Sequence, residues 1–145
     1  MDLVDKLSPR GFDCLCGNLR MAARAVTAVY DGHLRPAGLQ ASQLAVLWAV
    51  AGLRGESVSR IAAKLAMHDT ALVRNLRVLE GRGWVSIEVG ADRRQRLVDL
   101  TPAGRAVFAK ALPLWSKAQK QVDAVLADGV AAMNRSLLEL TRQVT

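Results

Sequence analysis

Apolar positions along this chain repeat with two different periods, and the switches between them mark out the elements. Leu15, Leu19, Ala22, Val26 and Tyr30 recur at helical spacing, which predicts a first helix over about residues 11–34. Pro36 and Gly38 in "RPAGL" break it. A second helix, over about 41–51, is apolar almost all round ("LAVLWAVAG") and is therefore expected to be buried, with Gly52 and Gly55 ending it. Ser57 is the N-cap of a third helix, whose Val58, Ile61, Ala62 and Leu65 form one apolar face. "AMHD" interrupts the pattern for about three residues. A fourth helix follows over about 69–82, with Leu72, Leu76 and Leu79 facing inward, and "GRG" stops it.

The period then changes to two. "VSIEV" places Val85, Ile87 and Val89 on one face of a strand, and "RLVDL" pairs with it across a tight turn. Thr101 and Pro102, as N-cap and first helical residue, open a fifth helix that reaches about residue 127, with a kink at Pro113. Asp128 and Gly129 separate it from a last helix over about 130–143. Two helices joined by a short turn and followed at once by a hairpin make a winged helix-turn-helix. The fold class is mostly α (α+β).

A chain of 145 residues suits a single domain, 1–145, and 51% hydrophobic content argues against disorder. No apolar run approaches the roughly 20 residues of a membrane span, so no membrane partner is expected. The opening "MDLVDKLSPRG" carries acids and lacks an apolar core, so it does not read as a signal peptide, and the expected location is cytoplasmic. Net charge is +7, which points to a polyanionic partner. Residues 54–105 hold ten basic and six acidic side chains, so the middle of the chain is its most basic part.

Where that charge lies sharpens the picture. At about 100° per residue, Leu76 and Leu79 fall close to Leu72 on the fourth helix, whereas Thr70, Arg74 and Arg77 fall opposite, with Asn75 nearer the flank. An outer face of this kind suits the major groove of double-stranded DNA, since an arginine fork grips guanine or phosphate and threonine touches a thymine methyl. His68, just before the helix, reads as a turn residue or phosphate contact. In "GADRRQRLVDL", Arg93, Arg94 and Arg96 crowd a turn where like charges repel. Phosphates beside a hairpin tip supply the missing negative charge, and arginines there can enter the minor groove. Asp92 is the expected local support for one of the wing arginines.

Other chemistry is sparse. HExxH, GxSxG, a phosphate loop and clustered acids are all missing from the sequence, so an enzyme is not expected, nor any cofactor or metal site. Cys14 and Cys16 sit two apart. On a helix they would point about 200° from each other and could not close a disulfide within it, so one is read as core and the other as incidental. A thiol sensor acting across two subunits is the alternative. Trp48, Trp84 and Trp115 are read chiefly as core.

The stretch "VSRIAAKLAMHDTALVRNLRVLEGRGWVSIEVGADRRQRLVDLTPAGRAVF" resembles the MarR family of winged-helix transcriptional regulators. The match is carried by Leu76, Leu79, Gly83, Trp84 and Val85, by Asp92 and Arg94 in the wing, and by "LTPAG". It implies a homodimer on a palindromic operator, with about 41–101 as the DNA-binding part and about 11–35 and 102–145 as dimerisation helices. It also implies a repressor in which Arg74 and Arg94 are the recognition-helix and wing arginines. Release would come from a small aromatic or phenolic effector, with Trp48 and Tyr30 as candidate pocket residues, or from oxidation of Cys14 or Cys16. The chain departs from the family pattern at "MHDTALVRNL", where His68 and Asp69 replace an acid and a base and Ala71 and Val73 replace threonines. Those departures motivate the rival reading: a dimeric winged-helix protein-interaction module that has lost strong DNA binding.

Overall fold

The computed structural model describes residues 13–145. The first helix, α1 (Leu15–Leu34), begins at Cys14, which has extended backbone and caps the helix from outside it, its Sγ accepting the Gly17 N–H at 3.5 Å. Gly11, where the sequence pattern starts this helix, lies outside the described residues. A short 3-10 turn, Arg35–Ala37, closes on Gly38 at φ 70°, a left-handed conformation that costs glycine nothing. At the start of α2 (Ala41–Leu53), the Asp31 carboxylate accepts the Ala41 N–H at 2.7 Å, and Gln40 and Gln43 bond each other's backbone reciprocally. These bonds satisfy N–H groups that a helix start leaves open.

The reading of α2 as a buried helix holds for Leu44, Val46, Leu47, Ala49 and Val50. It packs against α1 and α5 and against the helices and the central strand of the winged part. Next come β1 (Glu56–Ser57), α3 (Val58–Lys64) and α4 (Asp69–Gly81). Ser57 caps α3 as expected, accepting the Arg60 N–H. The turn into α4 passes through Ala66 at φ 51°, a left-handed position held by a residue with a Cβ. Gly83, at φ 74°, ends α4, and the Trp84 N–H bonds back to the Leu79 carbonyl at 3.0 Å.

The wing strands are β2 (Val85–Val89) and β3 (Arg96–Leu100), antiparallel from Val85 opposite Leu100 to Val89 opposite Arg96. The sheet holds a third strand that periodicity did not show. Glu56 and Ser57 pair with Val98 and Leu97, giving the order β1-β3-β2. Two residues are too few to display alternation, so only the partner strand defines them. The inward face of β2 fades toward its tip: Val85 is buried, Ile87 half-buried and Val89 exposed.

Thr101 caps α5 (Pro102–Asp123), accepting the Gly104 N–H at 3.0 Å while its hydroxyl donates to the Gly83 carbonyl. The helix runs through Pro113 and ends at Asp123, about four residues before the expected end near 127. Asp123 explains the stop: its carboxylate accepts the Val130 N–H at 2.7 Å and so caps α6 (Gly129–Val144). The long helices α1 and α5 clasp each other through Tyr30, which donates to Gln119, and through His33 and Gln121 at 2.8 Å. Leu34, Leu47, Ile61, Leu72, Leu76, Leu79 and Val98 form the fully buried centre, shared by α1, α2, α3, α4 and β3.

Candidate nucleic-acid interface

Leu72, Leu76 and Leu79 anchor α4 in the core, which turns the opposite side outward. Thr70, Arg74 and Arg77 are exposed there, and Asn75 is half-buried on the flank. Asp69, Thr70, Val73, Arg74 and Arg77 line a shallow concavity of about 350 Å³. His68 is the N-cap residue, with extended backbone and no side-chain cap bond, so its exposed imidazole stands clear of the helix end. Asp69 is tethered to the preceding helix, where its Oδ2 accepts the Ser59 hydroxyl at 2.7 Å.

The wing tip is the loop 90–95. The Gly90 N–H bonds the Gln95 carbonyl at 3.0 Å and the Gln95 N–H bonds the Asp92 carbonyl at 2.9 Å. Asp92 supports this loop differently from the sequence expectation. Its carboxylate accepts the main-chain N–H of Arg94 at 3.0 Å and pairs with no guanidinium among the described residues. It shapes the turn and leaves the arginine heads free to point away. Arg96, which the sequence groups with Arg93 and Arg94, turns back on the loop and donates to the Arg93 and Gln95 carbonyls at 2.9 and 3.3 Å. Among the described residues, the ion pairs are Arg60–Glu56, Arg105–Asp99 and Arg142–Glu139. Arg74, Arg77, Arg93 and Arg94 therefore carry four exposed charges that no acidic side chain among the described residues neutralises.

Sequence reasoning overlooked Arg82. It caps the end of α4, donates to the Gly38 carbonyl at 2.7 Å and lies 4.8 Å from the centre of the Trp84 ring. The contact spans 44 residues, and no local pattern announces it.

Behind this surface, a cleft of about 850 Å³ opens between the long helices and the winged part. Tyr30 and Trp48, the two expected pocket residues, both line it, together with Trp115, Lys64 and Asn134. Trp48 is not core: it is 42% exposed, edge-on to Phe108 and Trp115 at 5.6 and 5.0 Å between ring centres. Partial burial pushes the Tyr30 phenol above its usual 10.0.

The cysteine expectation needs a correction as well. Cys14 and Cys16 are both exposed, so neither packs in the core of the chain. Because Cys14 lies outside the helix, the opposed helical directions argued for the pair do not apply. Among the described residues, no group of three or more His, Cys, Asp or Glu side chains could hold a metal ion, and no helix is long and apolar enough to cross a membrane.

Comparison with known proteins agrees with this architecture. Residues 39–104 match the winged helix DNA-binding domain family. The M. tuberculosis transcriptional regulator MosR, solved in complex with DNA, is 35% identical with a TM-score of 0.83 over 91% of this chain and 96% of that one. A variant of E. coli MarR, solved with operator DNA, shares the fold at a TM-score of 0.73 over 97% of this chain and 99% of that one, with 24% identity. The HTH-type transcriptional regulator YwoH of Bacillus subtilis is 30% identical over 87 residues, which is 60% of this chain. The chain spans between 44% and 64% of the lengths of the curated relatives it matches. All of these are regulators rather than enzymes. A helix-turn-helix backed by α2, a three-stranded wing and likeness to MosR along nearly the whole chain lead to one assignment: the chain belongs to the MarR family of winged helix-turn-helix transcriptional regulators.

Proposed function

We propose that the protein binds double-stranded DNA as a homodimer at a palindromic operator, acts there as a repressor in the cytoplasm, and lets go when a small aromatic or phenolic molecule occupies the cleft. One observation carries the DNA reading. Arg74 and Arg77 on α4 and Arg93 and Arg94 on the wing are exposed with no acidic partner among the described residues. Phosphates provide that partner, and release of their counterions drives the association. Thr70, Arg74 and Arg77, with Asn75 at the edge, face base edges in the major groove. Arg93 and Arg94 follow the backbone toward the minor groove, His68 contacts phosphate, and Asp92 and Arg96 hold the loop in shape.

Support for the dimer comes from the terminal helices. Leu15, Val26, Met133 and Leu137 are all exposed large apolar side chains, and a second copy laying the same stripes against them removes them from water. Support for the effector comes from the cleft, whose aromatic faces and single lysine suit a flat, anionic or phenolic guest. The exposure of Cys14 and Cys16 favours a second release route, thiol oxidation, which a Cys14→Ser, Cys16→Ser double variant would abolish.

A gel shift with the protein's own promoter region tests the reading. Wild type is expected to shift it, and Arg74→Ala with Arg94→Ala to lose that shift. No shift at low salt would instead favour the protein-interaction module. The half-buried positions of Ala71 and Val73 take away part of the motive for that rival, because neither residue faces squarely outward.

A further inference from the structure

We propose that Asp69 is a specificity-determining residue, reading a cytosine in each half-site through the base's N4 amino group. The proposal rests on the DNA-binding reading above. Asp69 is the first residue of α4, and the N-terminal end of a recognition helix is the part that meets base edges. It is exposed and shares the shallow concavity with Thr70, Val73, Arg74 and Arg77. In spite of the basic surroundings, it belongs to none of the ion pairs among the described residues. Among the described residues its hydrogen-bond partner is Ser59, which donates to Oδ2 at 2.7 Å. That bond fixes how the carboxylate is aimed and leaves Oδ1 to accept from outside the chain.

The chemistry selects the base. An ionised carboxylate only accepts hydrogen bonds. In the major groove guanine shows two acceptors, thymine an acceptor and a methyl group, and adenine a donor beside an acceptor, whereas cytosine shows a donor alone. Cytosine is thus the one base whose edge meets the carboxylate without an opposing lone pair. The same charge is repelled by every phosphate, so it lowers binding to DNA in general. Asp69 therefore acts in opposite directions on the two modes, strengthening the choice of site while weakening indiscriminate attachment. An acid in the first helical turn also steadies the helix through its dipole, and that role alone would leave base preference untouched.

The test selects duplexes from a randomised pool with full-length wild type, Asp69→Asn, Asp69→Ala and Ser59→Ala. Fluorescence anisotropy then measures affinity for duplexes that differ at one symmetric position. Wild type is expected to enrich C·G there and to lose roughly tenfold or more when the pair is changed. Asp69→Asn should move the preference to A·T, because an amide offers both a donor and an acceptor to adenine. Asp69→Ala should flatten that position and bind unrelated duplexes more tightly. Ser59→Ala should keep the cytosine preference in weaker form. The same base profile in wild type and both Asp69 variants overturns the proposal while the DNA-binding reading stands, and a lower melting temperature alongside it assigns Asp69 to the helix end alone. Failure of wild type to select any sequence overturns the DNA-binding reading and this proposal with it.

Discussion

Replacing Gly104 by alanine should destabilise the fold through a single methyl group. Gly104 lies in the first turn of α5, where that helix crosses the start of β2. A Cβ built there would stand 1.9 Å from the Trp84 carbonyl oxygen and 2.8 Å from its carbon. A carbon and a carbonyl oxygen sit comfortably at about 3.3 Å, so the helix must retreat from the strand by roughly 1.4 Å. That oxygen accepts the Thr101 N–H at 3.1 Å, and the Thr101 side chain holds both Gly83 and Gly104, so the retreat strains the whole corner. Overpacking costs about 1–3 kcal/mol and a weakened hydrogen bond about 1, offset by up to about 1 from the better helix propensity of alanine. With the full offset the net loss is about 1–3 kcal/mol, which lowers the melting temperature by roughly 2–12 °C in a chain of this size. Thermal melts by circular dichroism at matched protein concentration measure it. Gly32→Ala is the control: it is exposed on α1 with nothing within 4 Å of its added Cβ, and it should melt no lower than wild type. If Gly104→Ala melts within about 2 °C of wild type, the close approach of helix and strand is not as described.

The two key arginines should fail in different ways. Arg74→Ala should cost about 1–3 kcal/mol per contact and relax preference at one symmetric base position, whereas Arg94→Ala should weaken most sequences alike and flatten the salt dependence by about one charge per subunit. A panel of operator variants at two salt concentrations separates them, and equal loss of specificity from both would mean the helix and wing are docked wrongly. Ala66→Gly should stabilise the helix-turn-helix by about 0.5–1 kcal/mol, since Ala66 holds φ 51° at the cost of its Cβ. A lower denaturant midpoint would contradict this. Tyr30 is the only tyrosine, so an alkaline absorbance titration reports it directly, and its midpoint should lie above 10.0. Because the phenol ionises more easily in the unfolded chain, its contribution to stability is intact below 10.0 and is lost as pH rises through the folded value. A midpoint at or below 10.0 would mean that Tyr30 is not desolvated in the clasp.

Local physics made much of this protein legible from its residues. The bounds of β2 and β3 match the expected strands because alternation switches on at Val85 and off at Leu100. Ser57 and Thr101 were readable as caps, since a hydroxyl at a helix start has one obvious use. The outward face of α4 followed from the spacing of three leucines. What could not be read depends on residues distant in sequence or on the path that a loop takes. Glu56 and Ser57 become a strand only because β3 passes beside them. Arg96 looks like its neighbours in sequence, yet carbonyls of its own loop draw it inward. Trp48 has the composition of a core residue and sits instead on the wall of a cleft, a placement decided by how α5 and α6 pack across it.

That wall has a consequence for how such proteins diversify. Along α2, Ala41, Ala45 and Gly52 lie on the side that faces the cleft and meet it with almost no side-chain bulk. Val46, Leu47 and Val50 occupy the other sides of the same helix and belong to the core beneath α4. A mutation that enlarges one of the small residues therefore recarves the chamber without disturbing what lies behind it. On the proposed effector reading, a lineage can try out new guest molecules one substitution at a time while its scaffold for meeting DNA is inherited unchanged.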